Sequence, residues 1–188
     1  FELLAKDDYG LSKKKGEKIV KTWCKKNNVK YLILRLPLLV GINPPGNLGA
    51  MIKAIKNGFY FNINNGKARK SMVMADDVSK IILKASEIGG TFNLTDGNNP
   101  NFNQLSYSIA KQLNKKYIFN MPIFIAQLVS KTGDIIGLNF FNSSKLNKIV
   151  SDLTFDDSKA RKTLDWKPNS VIENIVSNKN YKNKIIFD

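Results

Sequence analysis

Apolar residues along this chain switch between two periods, and the switches mark its elements. From Asp8 to about Asn28, Leu11, Ile19, Val20 and Trp23 recur at roughly helical spacing among lysines, which predicts an amphipathic helix. The run "VKYLILRLPLLVG" is almost continuously apolar, as expected of a strand covered on both faces in a parallel sheet. Pro37 ends it, and the loop "GINPPGN" follows. "LGAMIKAIKNG" fits a helix closed by Gly58. "FYFNI" and "KSMVMA" read as two strands around the turn "NNGK". Asp76 or Asp77 is placed to cap the helix "VSKIILKASEI", which Gly89 and Gly90 stop.

The second half continues the alternation. "TFNLTDG" reads as a strand with a turn, and Asn101 with Gln104 opens "FNQLSYSIAKQL" as a capping box. "KYIFNMP" is a further short strand, and Pro122 suits the first turn of "IFIAQLVSKTGDIIG". Lys131 and Asp134 interrupt that apolar segment, so a packed helix is expected there rather than a membrane anchor. Asp156 precedes a helix in "DSKARKTL", Ser170 and Glu173 suggest a second capping box, and the tail "SNKNYKNKIIFD" is polar enough to fray. Helices alternating with apolar strands give an α/β fold. No phosphate-binding glycine loop is present in the sequence. A chain opening on a long helix and a buried strand reads as the second half of a Rossmann-like doubly wound fold.

Composition narrows the chemistry. The 188 residues are 43% apolar, enough for a real core. No stretch reaches the roughly 20 apolar residues that span a bilayer, and no secretory signal opens the chain. A cytoplasmic location without stable membrane insertion is the expectation, and Phe1 in place of methionine suggests a processed or truncated piece. The lone Cys24 excludes an internal disulfide and suits a reducing compartment. Histidine is absent, which removes Ser–His and Cys–His mechanisms and every histidine metal site; no metal site is expected. Acid–base work must therefore fall to tyrosine, lysine or carboxylates.

Thirty Lys and Arg against fifteen Asp and Glu give a formal charge of +15, which favours anionic partners. The lysines are scattered rather than striped, and the aromatics occupy positions that pattern as core. Solvated lysine faces and phosphate-bearing small molecules thus fit better than nucleic acid.

The stretch "YGLSK" puts Tyr9 and Lys13 four residues apart at the start of a helix, hence on one face. A phenol ordinarily titrates near about 10, and a fixed positive charge beside it favours the phenolate. Such a pair can exchange protons without histidine, although two residues of these types also occur together as ordinary helix surface.

Further motifs follow in order: "LILRLPLLVG", "PPGNLGAMIKAIKNG", "RKSMVMADDV" and "LDWKP". With "YGLSK", this series resembles the NAD(P)-dependent sugar-nucleotide epimerases and dehydratases, the extended branch of the short-chain dehydrogenase/reductases, from Tyr9 to Pro168. The resemblance implies that residues 1–46 complete a dinucleotide-binding domain. Residues 47–188 would be mainly a small α/β substrate-binding region, with about 76–95 returning to the first domain. It implies Tyr9 as catalytic acid/base, and Lys13 as its partner and a ligand of the nicotinamide ribose. Pro37 and Leu38 would lie near the nicotinamide. Asn47 and Leu48 would meet the nucleotide diphosphate, where a helix start suits an anion. Phe61 and Asn62 would flank the base, or belong to an ordinary core strand. Arg69 or Lys70 would reach the phosphates, Lys70 standing where the family usually has arginine. Ser12 is expected to pack, Arg35 to form a structural ion pair, and Asp77 to cap its helix.

The family's glycine loop and third catalytic group, a Ser or Thr, belong to a half that this sequence lacks. NAD or NADP would be bound mainly by that half, and the fragment alone is expected to be inactive. The implied activity is epimerisation at C4, or reduction of a 4-keto sugar, on a nucleotide-diphosphate sugar. A UDP-linked substrate of surface-glycan synthesis is expected, with a homodimer as a further possibility. Two alternatives remain open at this point: a basic nucleic-acid-binding module, and a non-catalytic relative kept for its fold.

Overall fold

The computed structural model describes residues 8–41, 44, 46–136 and 142–175, so the polar tail read as frayed lies outside the described residues. The first element among the described residues is helix α1 (Asp8–Lys26), then strands β1 (Leu32–Arg35) and β2 (Leu38–Val40), and helix α2 (Gly46–Asn57). Strand β3 (Phe61–Ile63), a 3-10 turn (Asn64–Gly66), strand β4 (Met72–Met74), helix α3 (Ala75–Ile88) and strand β5 (Gly90–Asn93) follow. Helix α4 (Phe102–Gln112) and strand β6 (Phe119–Met121) lead to helices α5 (Ile123–Ile136), α6 (Ser143–Val150), α7 (Ser158–Leu164) and α8 (Val171–Asn174).

The apolar run expected to be one strand is two. β1 pairs in parallel with β5, from Leu32↔Gly90 to Arg35↔Asn93, while β2 pairs in parallel with β4, from Leu38↔Met72 to Val40↔Met74. Pro37 sits at the handover, where its missing N–H interrupts a ladder at no cost to either sheet. β3 and β4 do not form a hairpin either; β3 pairs in parallel with β6, Phe61 opposite Phe119. The intervening turn explains this. Asn64, Asn65 and Gly66 all take positive φ, and a Cβ on Gly66 would come within 2.5 Å of the Asn103 backbone nitrogen. The turn is thus pressed against α4 and sends the chain away from β3.

β4 is the wall between two cores. Met72 and Met74 face one way, with Val40, Leu48, Met51, Ile55, Leu105 and Ile109, while Val73 faces the other, with Phe92, Leu94, Ala160, Leu164 and Trp166. Alternating side chains of one strand therefore serve both. Each fully buried Leu, Ile or Phe here contributes about 1.5–3 kcal/mol.

Neither expected acidic or hydroxyl cap forms. Met74 is the N-cap of α3, which places Asp76 and Asp77 inside its first turn. Asp77 instead accepts from the Asn169 N–H and side-chain amide, both at 2.7 Å. Ser170 makes no side-chain cap bond to α8; the Asp96 carboxylate accepts from the Val171 N–H at 3.0 Å. With Trp166 Nε1 donating to the Thr95 carbonyl at 2.8 Å, two remote aspartates and an indole fasten residues 166–171 onto the strands. The box at Asn101 and Gln104 forms as expected.

Candidate active site

The position of Tyr9 and Lys13 depends on how α1 is held. Its apolar stripe is not a core face: Leu11, Ile19, Val20 and Trp23 are exposed, and Cys24 is the one buried residue of the helix. The expected ion pair of Arg35 supplies the other hold. Arg35 Nε and Nη2 donate to the two carboxylate oxygens of Glu17 at 2.8 and 2.7 Å, tying α1 to β1 in fork geometry. The hydrogen bond from Arg35 holds the Glu17 carboxyl below its ordinary value, and the same bond raises Arg35.

Glu17 lies four residues beyond Lys13, so this bond sets the rotation of the helix turn carrying the pair. Tyr9 is 72% exposed, and Lys13 Nζ lies 5.3 Å from its ring centroid. A phenol and an ammonium thus share one outward face, within cation–π range. Ser12 does not pack: it is exposed, and its hydroxyl donates to the Tyr9 carbonyl at 2.7 Å. Pro37 and Leu38 are half-buried at the carboxyl end of β1, the end at which open parallel sheets bind ligands. A groove lined by Lys21, Lys25, Lys30, Tyr31 and Gly89 lies at the opposite end of β1.

The remaining candidates divide by exposure. Asn47 is exposed in the first turn of α2, whereas the Leu48 side chain is core at 2% exposure and can reach no ligand. Phe61 is exposed, while Asn62 is buried and already occupied. The Asn62 amide donates to Asn103 Oδ1 at 3.1 Å and to Ser106 Oγ at 3.0 Å, and the Tyr60 hydroxyl donates to its carbonyl oxygen at 3.3 Å. Burial pushes the Tyr60 hydroxyl up to about 12, so it stays a neutral donor. Tyr60, Asn103 and Ser106 went unread in the sequence. Their signal was Asn103 and Ser106 three apart on one helix face, opposite a strand asparagine.

Arg69 and Lys70 are also engaged. Arg69 Nε donates to the Asn99 carbonyl at 3.1 Å, and its backbone N–H to Asp152 at 2.8 Å. Lys70 Nζ donates to the carbonyls of Lys148 and Ser151 at 2.8 and 2.6 Å, at the end of α6. A cation there meets the negative end of the helix dipole. Burial lowers the Lys70 ammonium from its ordinary value, with Asp152 opposing.

Residues 3–94 match the family model of the NAD dependent epimerase/dehydratase family. The chain is 23% identical over 175 residues to a UDP-glucose 4-epimerase of Vibrio cholerae, covering 89% of this chain and 51% of that protein. It is 27% identical over 163 residues to the N-acetyl-alpha-D-glucosaminyl-diphospho-ditrans,octacis-undecaprenol 4-epimerase of Escherichia coli O157:H7, covering 80% of this chain and 49% of that protein. The chain spans about half the length of these curated relatives. In fold it superposes on the UDP-N-acetylglucosamine 4-epimerase of Bacillus cereus with a TM-score of 0.71 at 20% identity, covering 98% of this chain and 57% of that one. The sequence match over residues 3–94, carried on this parallel-stranded fold, makes the chain similar to the NAD dependent epimerase/dehydratase family.

Proposed function

We propose that this chain supplies the proton-transfer residues of a 4-epimerase acting on a diphosphate-linked sugar. The observation that carries the reading is the Tyr9–Lys13 pair, one turn apart on the outward face of α1 with 5.3 Å from ammonium to ring centroid. It stands inside the stretch matched to the family. Tyr9 takes the proton of the sugar 4-hydroxyl and later returns it to the same oxygen. Lys13 stands beside the phenol and bonds the ribose of the dinucleotide, and Pro37 and Leu38 form the wall beside the nicotinamide.

The exposed phenol, ammonium and bend at Pro37 suit the nicotinamide end of an NAD or NADP molecule. When bound there, the dinucleotide would supply reversible hydride exchange at the sugar carbon. Its phosphates would be held by the glycine loop that these 188 residues lack.

Asn47, beside the N–H groups that open α2, and Arg69 or Lys70 are the groups we assign to the diphosphate. UDP-linked glucose and N-acetylglucosamine are the first substrates to try. A lipid-linked diphospho-sugar is a second form, favoured by the name of the relative at 27% identity. The test is direct: with a glycine-loop half supplied in cis or in trans, an epimerase interconverts the C4 epimers of such a sugar using only catalytic cofactor. Stoichiometric consumption of reduced cofactor would make the enzyme a 4-keto reductase instead. No conversion of any diphosphate-linked sugar would remove the reading.

A further inference from the structure

Helix α5 is packed with its faces reversed. Its buried residues are the small ones, Ala126, Ser130 and Gly133, on the side set against α6. Its large residues point out: Phe124 at 67% exposure, Leu128 at 66% and Ile135 at 84%, with Ile125, Val129 and Ile136 also exposed. At about 100° per residue Phe124, Leu128 and Ile135 lie opposite the buried face, and Ile125, Val129 and Ile136 extend the apolar arc along one flank. The segment was expected to be a packed helix, and it is packed only through its small residues. A helix shaped by its own core would bury the large ones.

A second apolar surface immediately precedes it in the chain. Phe61 and Phe119, directly opposite each other across β3 and β6, are both exposed. Phe59 and Tyr117, two residues before each, are exposed as well. The aromatics pattern mostly as core in the sequence, Phe61 also as a residue flanking the base, yet all four lie at the surface. β6 passes through Pro122 straight into α5. Lys115 and Lys116, just before Tyr117, and Lys131, on the flank of the α5 arc, are exposed cations beside this apolar surface.

From this arrangement we infer that α5 and the β3–β6 aromatics dock the protein onto the surface of an anionic lipid bilayer. Large apolar side chains with aromatics and flanking lysines are what the headgroup boundary accepts. The formal charge of +15 complements an anionic leaflet. Among the described residues no helix is long and apolar enough to cross a membrane, so the contact lies in the interface plane. The inference goes beyond the epimerase reading and stands without it. It would also bring Tyr9 to a substrate anchored in that bilayer.

The experiment is co-sedimentation of the chain with vesicles of phosphatidylcholine alone or mixed with phosphatidylglycerol. The expected result is binding to the mixed vesicles that weakens as salt rises, with little binding to the neutral ones. The double variant Phe124→Gln/Leu128→Gln should partition at least about tenfold more weakly, since both side chains lose their burial in the acyl boundary. Lys115→Glu/Lys116→Glu should remove the preference for the anionic lipid. It decides the matter if the first variant misfolds. Absence of binding to the mixed vesicles would overturn the inference, as would binding indifferent to both variants. A change in sedimentation coefficient of the free double variant, with vesicle binding intact, would instead assign the surface to a second copy of the chain. Neither variant touches Tyr9 or Lys13, so loss of epimerase turnover in Tyr9→Phe with vesicle binding retained separates the two readings.

Discussion

The two places where cations were expected to meet a ligand are built in opposite ways. At the start of α1, Tyr9 and Lys13 stand on an exposed helix face, positioned through Glu17–Arg35 and within cation–π range of each other. At the edge of β4, Arg69 and Lys70 are spent on backbone carbonyls and draw residues 148–153 onto the strand. The first arrangement leaves the reactive groups outward, which is what proton exchange with a bound substrate requires. The second makes the cations structural, and any role at a phosphate must compete with contacts already made.

Substitutions can break that contrast. Among the cations, the larger effect is expected from Lys13→Met, which should lower turnover by roughly 10²-fold and weaken cofactor binding. Its melting temperature should stay unchanged, because the exposed ammonium holds no other element; a fall in melting temperature would show Lys13 to be structural. Lys70→Met should behave in reverse. Both carbonyl acceptors can turn to water, so stability should fall by only about 0.5–1.5 kcal/mol in a denaturant titration. If Lys70 also holds the diphosphate, sugar-nucleotide affinity should drop by a further 1.5–3 kcal/mol or about that. Unchanged affinity in both Lys70→Met and Arg69→Met would mean that the phosphates are held elsewhere.

A smaller effect is expected at the tether of α1. The Glu17 carboxyl is held low in the folded state, chiefly by its hydrogen bond from Arg35. The stability it contributes is therefore present above its unfolded value and lost as pH falls through the folded one. Glu17→Gln should flatten that acid limb by lowering stability near neutrality, where the contribution is present, while changing little below the folded value. A steep limb that survives the substitution would assign the acid sensitivity to groups other than Glu17.

The contrast also explains what the sequence could reveal. Helix positions, the capping box at Asn101 and the parallel α/β character follow from local pattern, because periodicity and cap chemistry are properties of a few neighbouring residues. The division of "LILRLPLLV" between two sheets was invisible, since it depends on β5 and β4, each more than thirty residues away. The aspartate that serves α8 lies 75 residues from Val171, beyond any local signature. Burial was least legible of all. Ile19, Trp23, Phe124 and Leu128 fit the pattern of core residues and lie at the surface, because periodicity reports an apolar face and not what covers it. At the site, Tyr9 and Lys13 could be paired from spacing alone, but not the capture of Lys70 by the end of α6, which was itself unread in the sequence.

The central claim is that Tyr9 moves the proton. It is tested most directly by the turnover of Tyr9→Phe on a diphosphate-linked sugar shown to be a substrate, with the glycine-loop half present. The ring is kept and only the hydroxyl is lost, so kcat should fall by about 10²–10⁴-fold with sugar-nucleotide affinity and melting temperature nearly unchanged. A variant that turns over at the wild-type rate would contradict the account and return Tyr9 to an ordinary place on the surface of α1.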